Sequence, residues 1–303
     1  MPTLLDLFLV LLVLVYAAVQ MAVLAVWGVH VYYVRRDKPG LLAERWSFLD
    51  LWVGFHLVLL LTFAMLVTLS LAAGVGLALF SPQYLGALKR AMLGLERSDP
   101  LVWVVAIPVL LVQNVAFVAT AILYVVGRYG LDVSRVGLRW DWRVVRKGVW
   151  WGGLAFLITP LVELFSMGLL RLVLGASAFQ QLMDWEKHSV AMDAFLQTLQ
   201  PGAIALAFVL MVAVAAPIGE ELFFRGFVFN LLRHRLGLAP AVWLSAGLFA
   251  LLHVSVKNFL PILIIGALLA WLYARTGSLW SCVVMHGTFN LLSALAAIFL
   301  GRV

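Results

Sequence analysis

Polar residues are so sparse along this chain that its punctuation is easier to read than its periodicity. Long apolar runs, each closed by a short cluster rich in Arg, Lys, Gly or Pro, follow one another through the whole sequence. A helix needs ~20 mainly apolar residues to cross the hydrocarbon core of a bilayer, since each residue rises about 1.5 Å. Eight stretches meet or approach that length, at about 5–32, 51–80, 101–127, 149–174, 203–232, 240–257, 259–274 and 279–300. The pattern therefore predicts an all-α fold, a polytopic membrane helix bundle of about eight transmembrane helices. The first run is read as a span and not as a cleaved leader, because Asp6 stands where a basic region belongs and the apolar run continues past Ala25 to Val31. There is no internal repeat, low-complexity tract or flexible linker. The connecting segments 81–100 and 175–200 are long enough to be amphipathic surface pieces. In the second, Asp184, Trp185, Glu186, Lys187 and His188 form a polar cluster that reads as a solvated interfacial turn.

Composition sharpens the class. Of 303 residues 65% are apolar and 12% charged, about half the charged share of a soluble domain, which excludes a soluble enzyme. The 21 Lys+Arg outnumber the 14 Asp+Glu for a formal charge of +7, but most of the excess falls in the connectors after spans one, three, five and seven. Arg35, Arg36, Lys38 and Arg45 follow the first, and Arg128, Arg135, Arg139, Arg143, Arg146 and Lys147 the third. Basic loops collect on the cytoplasmic side, so both termini are expected to face away from it, and no nucleic-acid partner is called for. Trp46, Trp52, Trp103, Trp140, Trp142, Trp150, Trp151, Trp243 and Trp280 fall near expected span ends, where amphipathic rings anchor. Cys282 is the single cysteine, which leaves neither a disulfide framework nor a cysteine zinc site. The chain divides into an N-terminal membrane region, 1–147, of about three spans plus a basic loop, and a helical catalytic region, 148–303.

An ionisable side chain in a span costs about 2.5–3.5 kcal/mol on insertion scales and so requires a partner or a task. The fifth span carries Glu220, Glu221 and Arg225. Glu221 precedes Arg225 by four residues, the favourable order for an ion pair on one helix face. Glu220 points about 100° away and is left for chemistry. In the sixth span Phe249 and His253 share a face; in the eighth, His286 and Asn290 do so, with small Gly287 between them. Taken singly, each pair reads as packing or interior hydrogen bonding. Counted from the span ends at about 1.5 Å per residue, however, Glu220, His253, His286 and Asn290 fall in one layer, open toward the cytoplasmic side.

That layer holds the parts a peptide hydrolase needs. Glu220 is the candidate general base, strengthened by a low-dielectric setting, with His253 to hold water and shuttle protons. His286 and Asn290 are candidate donors to an oxyanion. No HExxH, Gly-x-Ser-Gly or Gly-x-Gly-Asp motif is present. Cys282 lies four residues before His286, but apolar surroundings disfavour a thiolate. Glu163, three residues after Pro160 in the fourth span, reads as the neighbour of a kink, with a bond to Arg225 as the alternative; Asp50, His56, Gln113 and Asn114 read mainly as packing contacts.

With these residues in order, Glu220-Glu221-xxx-Arg225, Phe249-xxx-His253 and His286-xxx-Asn290, the chain resembles the CAAX prenyl protease and bacteriocin-processing family, also called CPBP or Abi. The motif core covers about 203–295. The resemblance implies an intramembrane endopeptidase of glutamate type. In it Glu220 and His253 activate water, His286 and Asn290 form the oxyanion hole, and Glu221, Arg225 and Phe249 support them. It implies membrane lipids and a membrane-anchored or hydrophobic peptide as partners, in a bacterial or archaeal cell membrane. No cofactor is expected: family members have also been described as metalloproteases, yet no pair of histidines here has the compact helix spacing of zinc proteases. Two other readings use the same residues, a non-catalytic immunity or scaffold protein of this fold and a proton-coupled transporter. The transporter would show paired broken helices in inverted repeats, and none is evident.

Overall fold

A computed structural model describes residues 47–80, 100–123, 137–138, 140–189 and 202–299 of the protein. Every regular element among them is a helix: α1 (Phe48–Phe80), α2 (Pro100–Ile122), α3 (Trp142–Ser189), α4, α5 (Leu238–Leu252), α6 (Phe259–Thr276) and α7 (Leu279–Phe299). The helix α4 is composite, with α-helical turns Ala203–Leu210, Ala216–Glu221 and Asn230–Leu236 joined by π-helical turns Met211–Ala215 and Leu222–Phe229. Among the described residues five helices are long and apolar enough to cross a bilayer, and the protein is an integral, multi-pass, all-α membrane bundle. The expected span at 5–32 lies outside the described residues.

Helix ends follow local chemistry. Ser47 and Asp50 close the start of α1, the Asp50 carboxylate accepting from the Ser47 amide at 2.7 Å and hydroxyl at 2.9 Å, as a capping residue and its third follower do. Gly237, at φ 86°, turns the chain from α4 into α5. Gly277, at φ 64°, ends α6, its amide bonded to the Tyr273 carbonyl at 2.8 Å, a left-handed cap that any side chain would strain.

The helix expected at 240–257 has other bounds: α5 runs from Leu238 and stops at Leu252, and the chain reverses through His253–Asn258 before α6 begins. Val254 and Val256 extend the apolar run, but they alternate with the polar His253, Ser255, Lys257 and Asn258, which mark the turn. The segment after Gly175 is exposed or half-exposed from 176 to 185, as expected of a surface piece, but Glu186 is buried. The chain breaks at Gly175, at φ 77°, and continues as helix to Ser189.

The core gathers around α4. Phe223, Phe224, Phe227 and Phe229 are fully buried. Phe223 packs against Phe55 of α1 at 5.2 Å and Phe117 of α2 at 5.0 Å, Phe224 against Phe249 of α5 at 5.1 Å, and Phe229 against Tyr273 of α6 at 5.7 Å. Each such pair is worth about 0.5–1.5 kcal/mol beyond its buried area. On the other side α3 meets α7 through Gly148 and Gly152, one turn apart. A Cβ at Gly152 would lie 2.5 Å from the Met285 carbonyl oxygen, and one at Gly148 2.8 Å from that of Ser281. In a membrane, where apolar burial no longer separates helix from lipid, such close backbone approach carries association.

Candidate active site

The two adjacent carboxylates of α4 have different surroundings. Glu221 is fully buried, and its Oε1 accepts from Arg225 Nη1 at 3.1 Å and from His286 Nδ1 at 2.8 Å. Arg225, also fully buried, donates through Nη2 to the Gly266 carbonyl of α6 at 3.0 Å and lies 4.8 Å from the centroid of the Phe249 ring. The charge pair thus has further bonds to His286 and Gly266, while Glu221 Oε2 and Arg225 Nε are buried without a hydrogen-bond partner among the described residues. Glu220 faces the other way, into a cavity of about 370 Å³ between α2, α4, α5 and α7. No described residue donates to its Oε2, which lies 3.9 Å from His286 Nε2.

The same cavity is lined by His253 and Asn290. The structure therefore brings Glu220, His253, His286 and Asn290 to one wall system, with Glu221 and Arg225 behind it. His253 stands just past the last turn of α5, exposed, with Nδ1 2.8 Å from the Phe249 carbonyl oxygen. Phe249 itself is buried, its ring 4.7 Å from that of His253 and 5.7 Å from that of His286. Its ring thus touches the Arg225 guanidinium and both imidazoles. Asn290 donates one amide hydrogen to the Val212 carbonyl at 2.8 Å; Val212 belongs to the first π-helical turn of α4. Turns of this kind recur at functional sites because the extra residue re-aims the side chains that follow.

Glu221 also decides how His286 is used. A carboxylate oxygen only accepts, so the Nδ1 proton is committed to Glu221. In the neutral ring Nε2, on the Glu220 side, is then an acceptor. It donates only when the ring carries a second proton.

Several residues were read differently from sequence. Gln113 and Asn114 of α2 line the cavity, where the pattern showed only packing. Both aspects hold for Asn114, since a Cβ at Gly219 would fall 2.7 Å from its Oδ1. Glu186, expected in a solvated turn, is 1% exposed and bonded to the segment that follows His253. Its polar neighbours Asp184, Lys187 and His188 gave no signal of burial, and its partners lie about 70 residues away. Glu163 is exposed on α3 and lies off the cavity, while Arg225 is taken by Glu221 and Gly266. Cys282 is buried away from the cavity with its S–H on the Leu269 carbonyl. Among the described residues no group of three or more His, Cys, Asp or Glu is gathered as a metal ion would need.

Residues 202–292 match the family described as Type II CAAX prenyl endopeptidase Rce1-like. The resemblance read from the three motifs is thus borne out, over a region that contains Glu220, Glu221, Arg225, Phe249, His253, His286 and Asn290. Two curated proteins are also similar. "Putative membrane peptidase YdiL" of Bacillus subtilis (strain 168) is 27% identical over 129 residues, 43% of this chain and 50% of that protein. "UPF0177 protein YxdF" of Lactococcus lactis subsp. lactis (strain IL1403) is 28% identical over 87 residues, 28% of this chain and 48% of that protein. The chain spans about half the length of the curated relatives it matches. No solved structure matches it. The Rce1-like region begins at the start of α4 and ends within α7, so α1, α2 and α3, including Gln113, Asn114 and Glu186, lie outside it.

Proposed function

We propose that the protein is an intramembrane endopeptidase that hydrolyses a peptide bond in a membrane-associated protein or peptide. One observation carries this reading: Glu220 faces His253, His286 and Asn290 around a single cavity, while the neighbouring carboxylate is neutralised by Arg225. In this reading Glu220 takes a proton from a water held between it and His253, and the hydroxide adds to the substrate carbonyl carbon. The oxygen of the tetrahedral intermediate is met by the Asn290 amide hydrogen not used by Val212 and by the Nε2 hydrogen of doubly protonated His286. Collapse breaks the C–N bond, and the leaving amine takes up the proton from Glu220 or His253. The products are one carboxylate and one amine. Because the donor set does not gather as a metal site, no step is routed through a metal.

The same proposal places eight spans in the chain, both termini away from the cytoplasm and the cavity open toward it, in a bacterial or archaeal cell membrane. It divides the chain into a membrane region, 1–147, and a catalytic region, 148–303. The bacterial source of both relatives supports a bacterial membrane. Purified protein in lipid should cleave a membrane-presented peptide, and Glu220→Gln and His253→Ala should abolish cleavage while the protein stays monodisperse. Equal cleavage by the wild type and both variants would overturn the site. Chelator treatment should leave the rate unchanged; stoichiometric zinc whose removal stops the reaction would replace this chemistry. Glu220→Gln held on native membranes should trap the substrate, whose identity the residues do not encode.

A further inference from the structure

The turn between α5 and α6 carries His253 and is held from outside by a residue of another helix. Val254, next to His253, has φ 49°, a left-handed conformation that a β-branched side chain adopts only when its surroundings impose it. The residues that follow it are held by Glu186, near the end of α3. One carboxylate, 1% exposed, accepts from the Val256 amide, from the Lys257 amide at 3.1 Å and from the Ser255 hydroxyl at 3.4 Å. The Ser255 oxygen in turn accepts from the Asn258 amide at 3.3 Å, and Asn258 is the N-cap of α6. The amides of Val256 and Lys257 precede the first turn of α6 and are out of reach of its internal bonds, so a carboxylate satisfies them and complements the positive end of the helix. Ser166 adds a bond from its hydroxyl to the Lys257 carbonyl at 3.4 Å. Hence residues 255–257 are fastened to α3, while His253 keeps Nδ1 on the Phe249 carbonyl and lines the cavity.

We infer that Glu186 is a positioning residue for His253: through the bonds to the 255–257 backbone it holds the strained turn that sets the height and angle of the imidazole at the cavity. The inference rests on the assignment of His253 to water activation in the proposed function. It adds a residue that lies outside the Rce1-like region and 67 positions before the side chain it serves.

Cleavage of a membrane-presented peptide by full-length protein in lipid tests it, with kcat and KM measured separately and normalised to the monodisperse fraction. Misplacing a catalytic group by ~1 Å costs about a hundredfold, so Glu186→Ala is expected to lower kcat between about ten- and a hundredfold with KM within twofold. Glu186→Gln, which keeps one acceptor oxygen, should fall less, and it carries the test if the alanine variant does not fold. Val254→Gly added to Glu186→Ala should recover part of the lost kcat, because glycine takes the turn's φ without support. Unchanged kcat in folded Glu186→Ala, or a loss that appears only as a lower yield of folded protein, would overturn the inference. Glu220→Gln is run alongside. If it still cleaves, the proposed site has failed; if it is inactive while Glu186→Ala keeps its kcat, only the positioning role has.

Discussion

Gly287 offers a direct test of how closely the site depends on helix spacing. A Cβ at this position of α7 would fall 2.4 Å from the Ala213 carbonyl oxygen in α4, where real Cβ atoms essentially never come closer than 3.0 Å. Gly287→Ala therefore has to part the two helices by about 0.6 Å, the difference between those distances. The atom in the way is backbone, so no rotamer change relieves it. The contact adjoins His286 in sequence and lies beside the Asn290 to Val212 bond, now 2.8 Å, which would stretch beyond the ordinary range of about 3.2 Å. The 3.9 Å separation of His286 Nε2 and Glu220 Oε2 would widen with it. Overpacking of this kind costs about 1–3 kcal/mol. Scaling the ~hundredfold penalty for ~1 Å of misplacement, kcat should fall about tenfold or more. The assay is cleavage of a membrane-presented peptide with thermal unfolding of the same preparation in detergent. Gly247→Ala on α5, where an added Cβ meets nothing within 4 Å, is the control. A Gly287→Ala protein with wild-type kcat and wild-type melting would refute the argument that this contact sets the geometry of the pair.

Removing the charge of Arg225 with Arg225→Met leaves Glu221 buried without its cation and should destabilise the fold by about 3–5 kcal/mol, read as a large drop in Tm. Arg225→Lys should recover only part of this, since an ammonium cannot reproduce both the Gly266 bond and the stacking on Phe249. If Asn290 supplies an oxyanion donor, Asn290→Ala should lower kcat by about 10²–10³ with little change in KM, measured by steady-state cleavage. On α3, Gly152→Ala should cost about 1–3 kcal/mol, because its Cβ would meet the Met285 carbonyl at 2.5 Å. The neighbouring Gly153→Ala, with nothing within 4 Å, should stay within about 0.5 kcal/mol by the same melting measurement.

Much of the bundle was readable because a bilayer accepts so few alternatives. Backbone amides without water must be satisfied within a helix, so long apolar runs have one stable form. The ion pair of Glu221 with Arg225 was equally local, four residues apart on one helix. What failed was local as well. The end of the sixth span was misplaced because Val254 and Val256 prolong the apolar run, although His253, Ser255, Lys257 and Asn258 between and after them are polar; the bonds of this turn to Glu186 were not legible at all. The segment beyond Gly175 lies at the surface as its pattern suggests, but nothing near it in sequence shows that Glu186 is buried.

By itself the sequence determined an all-α membrane protein, the three motifs and the inequality of the two adjacent glutamates, since these follow from residue type and helical spacing. Tertiary structure decided which polar groups meet. His286 gives its Nδ1 proton to Glu221, Gln113 and Asn114 join the cavity from a helix outside the Rce1-like region, and Glu186 holds the turn beside His253. Each is a contact between helices, fixed by how closely the small residues Gly152, Gly219 and Gly287 let their backbones approach. Spacing along one chain carries no information about that distance until the helices are packed.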